Sequence, residues 1–169
     1  MASSAARRRK LVLRRNGAPT VAAVGILTLR KPSVFAASRE TAITENEISK
    51  EVVDVAYKIH TAYGPGLLES VYETIMSHEL KKRGLRVVPQ QAIPVIHENI
   101  RMELGFRADL VVESKVVVEI KSIEVIAPVH KKQLLTYLRL TDKRLGLLIN
   151  FNVDLIKNGI TRVVNHLEE

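Results

Sequence analysis

Asp109, Glu119 and Lys121 stand inside apolar, strand-like runs, Ala-Asp-Leu-Val-Val and Val-Val-Val-Glu-Ile-Lys. A charge inside such a run costs several kcal/mol, on the order seen for buried ions, unless it is paired or binds a metal. The two runs are separated by little more than Ser114, which is hairpin spacing. Antiparallel pairing centred on Ser114 sets residue 109 opposite residue 119, and the two side chains then share a face. Lys121, two residues past Glu119, points the same way, whereas Ala108, Leu110, Val116, Val118 and Ile120 are expected on the other face. Two carboxylates and a lysine on one strand face suit a hard cation, and oxygen ligands favour Mg²⁺ or Mn²⁺. The lysine can hold or deprotonate an attacking water. A simple ion pair of Lys121 with either acid on a partly wet sheet face satisfies the same spacing.

The elements that must carry these residues are legible from local pattern. Thr44-Glu45-Asn46-Glu47 reads as a capping box opening a helix. Its inward stripe is Ile48, Val52, Val55, Ile59 and Ala62, and Gly64-Pro65-Gly66 stops it. A second helix is expected from Leu67 to Arg83, with Gly84 just past its end and Lys81-Lys82-Arg83 complementing its negative terminus. From Val87 the period changes to two, and Pro89 and Pro94 mark an edge or irregular strand. His97-Glu98-Asn99 reads as a turn, followed by strands Ile100–Glu113, with Gly105 a bulge, and Lys115–Ser122. Pro128 opens a helix to about Thr141, Leu145–Asn150 is a short buried strand, and Ile160–Val164 a last one. The order is ααβββαβ, an α/β domain without internal repeats.

Composition narrows the function classes. With 46% hydrophobic residues the 169-residue chain can bury a core. The absence of cysteine removes disulfides, thiolate nucleophiles and sulfur-ligated zinc. The longest apolar run, Val21 to Leu29, is far shorter than the roughly 20 residues that cross a bilayer, so no membrane span is expected. The formal charge of +8 belongs wholly to residues 1–40, while residues 41–169 hold 17 basic and 17 acidic groups. Residues 1–40 form a basic, acid-poor extension expected to be disordered; it reads as an organellar transit peptide, as an arm for nucleic acid, or as an upstream extension with no role. A cytoplasmic location is expected unless that segment directs organellar import. Seven aromatic residues offer no evident base-stacking platform. His60, His78, His97 and His166 lack metal-motif spacing, and there is no phosphate-binding glycine loop or serine nucleophile elbow.

Asp109 followed by Glu119-Ile120-Lys121 resembles the D…(D/E)xK signature of the PD-(D/E)XK nuclease superfamily. More narrowly, the stretch from Ile43 to Leu167 is similar to the GxxExxY family of that superfamily. Its motif stands as Gly66-Leu67-Leu68-Glu69-Ser70-Val71-Tyr72. It is followed by Gly105-Phe106-Arg107-Ala108-Asp109-Leu110, Val118-Glu119-Ile120-Lys121, Pro128-Val129-His130 and Leu148-Ile149-Asn150-Phe151. Ala108 replaces the proline of the signature pair. The resemblance implies a restriction-endonuclease-like core, a mixed β-sheet flanked by helices, over residues 41–169.

It also implies a metal-dependent phosphodiesterase acting on DNA or RNA, with Asp109, Glu119, the Ile120 carbonyl and Glu69 as ligands of Mg²⁺ or Mn²⁺. Lys121 becomes the residue that positions water or acts as general base, and Glu73, one turn after Glu69, competes for the helix-acid role. Gln133 and Tyr137 form a Q-x-x-x-Y pair similar to that of RecB-like exonucleases, on one helix face with His130 one turn before. Arg107 either contacts phosphate or pairs with an acid. Two other classes remain: a catalytically silent nuclease-fold module that binds nucleic acid or a protein partner, and a small-molecule-binding or structural α/β protein. A homo-oligomer is compatible with each.

Overall fold

The computed structural model describes residues 43–167, so the basic extension of residues 1–40 lies outside the described residues. The elements run α1 (Glu45–Tyr63), α2 (Glu69–Lys82), β1 (Val87–His97), β2 (Ile100–Val112), β3 (Val116–Lys121), α3 (Pro128–Leu140), β4 (Leu145–Asn150), α4 (Ile156–Gly159) and β5 (Ile160–Val164). Among the described residues five strands form one mixed sheet in the order β1-β2-β3-β4-β5. Only β3 and β4 pair in parallel, joined by the crossover through α3; the other neighbours are antiparallel. The expected order ααβββαβ is thus present, with the last strand preceded by a four-residue helix that has no sequence period to announce it.

Two layers of core lie on opposite sides of the sheet. On one side α1 contributes Ile48, Val52, Val55 and Ile59, and α2 contributes Tyr72, Met76 and Leu80, against Leu110, Val116, Val118, Ile120, Leu147 and Ile149. On the other, Leu134, Tyr137 and Leu138 of α3 pack on Val111, Val117 and Leu148. Covered on both faces, β4 is buried along its whole length, which is why Leu145–Asn150 reads as a nearly continuous apolar run. Ala62, expected on the inward stripe of α1, is exposed, and Ala56 is buried instead. The last turn of α1 projects beyond the core.

Local signals hold at the element ends. The hydroxyl of Thr44 accepts from the Glu47 N–H at 3.2 Å while the Glu47 carboxylate accepts from the Thr44 N–H at 2.7 Å. Gly84 follows α2 with φ +86°, a left-handed conformation that glycine adopts without penalty. Arg83 does more than complement a dipole: its guanidinium donates to Glu51 and Asp54, each at 2.6 Å, and ties the end of α2 to α1. The strand with two prolines lies at the sheet edge, where a missing N–H costs no ladder bond. The β1–β2 register slips between Ile93 and Val95 opposite Gly105. A Cβ on Gly105 would fall 2.6 Å from Val95 Cγ2 and 2.8 Å from the Ile93 carbonyl oxygen, so the strands approach there only because no side chain intervenes.

One expectation about strand faces is corrected. The β2–β3 ladder pairs Leu110 with Val118 and Val111 with Val117, so the hairpin is centred on Ser114 as expected. Ala108, however, buries with Ile93 beneath α3, while Leu110 joins the opposite layer. The period of two breaks at Asp109, level with Gln90 of β1, whose φ is +50°. Both strands thus depart from plain alternation at the same level.

Candidate active site

The ladder between β2 and β3 ends at Leu110 and Val118, and beyond it the strands fork. Asp109 stands in the fork. Its Oδ2 accepts from the Ile120 N–H at 2.7 Å, a side chain taking the place of a strand carbonyl, which fixes the carboxylate against β3. One step further along β3, Glu119 is only 4% exposed and its Oε1 accepts from Lys121 Nζ at 2.8 Å. Its second oxygen, Oε2, is buried with no hydrogen-bond partner among the described residues. Since Val117 faces α3, the alternation of β3 carries Glu119 and Lys121 to that same side. The convergence of Asp109, Glu119 and Lys121 expected from hairpin arithmetic is therefore present.

The electrostatics follow from the burial. Burial pushes the Glu119 carboxyl up to about 7, and Asp109 adds to the rise against the opposing pull of Lys121. Burial likewise raises Asp109, partly offset by the Ile120 N–H and by Lys121. Burial alone would lower the Lys121 ammonium, but its bond to Glu119 and the fields of Asp109 and Glu69 outweigh that, and its pKa is raised. Lys121 is held as a cation by the acids around it.

Glu69 comes from the first turn of α2 and reaches the end of β3, where its Oε1 accepts from the Ser122 N–H at 3.0 Å. The Ser122 hydroxyl donates to the Leu67 carbonyl at 2.8 Å, so the same residue grips both the helix acid and the turn before it. Tyr72 completes this junction. Its hydroxyl donates to the Gly64 carbonyl at 2.7 Å and accepts from the Leu67 N–H at 3.2 Å. Its ring stacks on Phe151 with centroids 4.1 Å apart. The Phe151 N–H in turn donates to the Lys121 carbonyl at 2.8 Å. The glutamate and tyrosine of the Gly66–Tyr72 motif thus belong to one structural unit that ties the start of α2 to the end of β3. The competing acid, Glu73, points toward β1 and accepts from Gln90 Nε2 at 2.5 Å; burial raises its pKa and Asp109 adds to the rise. Both acids approach the fork, from different sides.

On α3, Gln133 donates to the Tyr137 hydroxyl, joining the two residues expected to act together. Tyr137 is itself buried among Leu134 and Leu138 rather than left outside the apolar side of the helix. Burial raises its phenol, and the negative charge of Glu119 raises it further, which places the hydroxyl within the field of the carboxylates. His130 is occupied locally: its Nδ1 accepts from the Ala127 N–H at 3.2 Å and caps α3. Arg107 is exposed on β2 opposite Ala92. Phe106 was not among the expected site residues; its ring lies 5.2 Å from that of Tyr137, a contact between elements far apart in sequence. His60 Nε2 donates to the Val153 carbonyl at 2.8 Å, and His78, His97 and His166 are exposed.

Among the described residues, no three acidic or histidine side chains stand close enough to enclose a metal by themselves. The donor set nevertheless fits a hard divalent cation of the kind that keeps several waters and takes one or two carboxylates plus substrate phosphate. Asp109 and Glu119 supply the carboxylates, and the buried Oε2 of Glu119 is an acceptor without a partner among the described residues.

A family model described as the PD-(D/E)XK nuclease superfamily matches residues 46–163, more than two thirds of the chain. No curated protein and no solved structure matches it. The matched span begins in α1 and ends in β5, so it contains the whole sheet core and every candidate site residue.

Proposed function

The chain belongs to the PD-(D/E)XK nuclease superfamily, and from that membership we propose that it is a metal-dependent nuclease hydrolysing phosphodiester bonds of DNA or RNA. The observation that carries the reading is the Glu119 carboxylate, buried beside Lys121 with one oxygen unpartnered, at a strand fork that also holds Asp109. A buried charge so placed has a large desolvation cost in the metal-free protein, and a bound cation would remove it. The Gly66–Tyr72 motif and the segments that follow it support the narrower assignment to the GxxExxY family.

In this reading Asp109 and Glu119 hold Mg²⁺ or Mn²⁺, with the Ile120 carbonyl and Glu69 completing the protein's share. When bound, the ion supplies a polarised phosphate oxygen and a more acidic water. Lys121, kept cationic by its neighbours, donates a hydrogen bond that orients the attacking water in line with the scissile bond. Gln133 and Tyr137 present an amide and a phenol from α3 to the phosphate, and His130 and Arg107 are further candidates for backbone contact. Among the described residues no helix is long and apolar enough to cross a membrane. We place the protein in the cytoplasm, or in an organelle if residues 1–40 act as an import signal.

The test is cleavage of labelled DNA and RNA by the full-length protein with Mg²⁺, Mn²⁺ or EDTA, beside Asp109→Asn and Lys121→Ala. Metal-dependent cutting that both substitutions abolish, with the fold retained, is the expected result. Cutting that persists in both purified variants refutes the assignment. Metal binding with no cutting of any polymer points instead to a silent module.

A further inference from the structure

We propose that Phe106 is a stacking platform for a nucleobase, and that the strand taken by this site is an unpaired one. The inference rests on the nuclease reading of the same site and adds its substrate class. Phe106 lies on β2 three residues before Asp109, about 10 Å along an extended chain. Its strand neighbours on the α3 side, Ile93 and Ala108, are completely buried, yet Phe106 keeps 38% of its surface in solvent. The ring leans on Tyr137, tilted 51° to it, with centroids 5.2 Å apart. Tyr137 shares its hydroxyl with Gln133 on the helix face over the carboxylates. An aromatic face is therefore presented one side chain away from the catalytic acids.

What the domain presents is an aromatic face rather than a basic one. A duplex hides its base faces and offers phosphates, so proteins that grip it rely on a surplus of Lys and Arg. Residues 41–169 hold equal numbers of basic and acidic groups and have no such surplus. A single strand exposes the π-face of each base, and stacking on an aromatic side chain holds it with little regard to sequence. Further along the hairpin Met102 and Ile100, two residues apart on one face of β2, are apolar and exposed.

The experiment measures binding of fluorescein-labelled single-stranded DNA, single-stranded RNA and the corresponding duplexes by anisotropy. It uses the full chain carrying Lys121→Ala, so that binding is read without cutting, and compares it with Phe106→Leu, Phe106→Ala and Phe106→Trp added to that background. Phe106→Leu keeps an apolar side chain on Tyr137 and so guards against loss of the fold. Expected are tighter binding of unpaired strands than of duplexes, a roughly 5- to 150-fold loss in the Leu and Ala variants, and retention in the Trp variant. Equal or tighter duplex binding, or unpaired-strand binding indifferent to Phe106→Leu, overturns the inference. Wild-type cleavage assayed alongside separates the two readings. Metal-dependent cutting of duplexes that ignores Phe106 leaves a nuclease and overturns the platform. Phe106-dependent strand binding without any cutting upholds the platform and overturns the nuclease.

Discussion

Glu119→Gln should stabilise the metal-free protein at alkaline pH while abolishing its response to metal. The Glu119 carboxyl is raised from 4.5 to about 7 in the fold, mainly by burial and then by Asp109. Between those values the native state binds a proton that the unfolded chain has released, so stability falls as pH rises through the window and the penalty is complete above about 7. At about 1.4 kcal/mol per pH unit, a shift of this size is worth about 3 kcal/mol. The amide of Gln matches the shape of the protonated carboxyl, still accepts from Lys121, and cannot ionise. Urea denaturation of both full-length proteins in EDTA, followed by circular dichroism from about pH 5 to pH 8, should show near-equal stability at the acid end. At the alkaline end the variant should lead by up to about 3 kcal/mol. Adding Mn²⁺ should reverse the order, because the ion stabilises only the protein that binds it. A variant less stable than wild type at pH 8, or an offset that does not change with pH, would refute the reasoning that burial of this charge is what strains the site.

Two further outcomes test the scaffold. Tyr72→Phe keeps the stack on Phe151 but leaves the Leu67 N–H and Gly64 carbonyl unpaired. It should cost about 1–3 kcal/mol in denaturation and weaken Mn²⁺ binding; the weakening should vanish in a Glu69→Gln background, and additive effects on Mn²⁺ affinity would show that Tyr72 does not act through Glu69. Thr44→Ala removes the cap of α1 and should lower stability by about 1 kcal/mol without changing metal affinity; a change in Mn²⁺ binding would contradict the separation of α1's end from the site.

Much of this protein is written locally. A threonine three residues before a glutamate fixes where α1 begins, and two prolines assign β1 to an edge, because caps and missing donors act within a few residues. The centre of the β2–β3 hairpin is equally local, and with it the meeting of Asp109 with Glu119, since a strand's period of two leaves a single register for a turn at Ser114. Tertiary structure decided the rest. The alternation of β2 breaks level with the positive φ of Gln90 on the neighbouring strand, and the period of two in β2 did not place Ala108 beneath α3. The stack of Tyr72 on Phe151 joins residues far apart in sequence, and together with the bonds of its hydroxyl to Gly64 and Leu67 it ties the tyrosine to the junction that holds the glutamate of its motif. The approach of Phe106 to Tyr137 likewise depends on α3 crossing the sheet, and it supplies the exposed ring that a bare count of aromatics did not reveal. Periodicity and capping are set by neighbours along the chain, whereas a site at a strand fork is set by which layers pack against it.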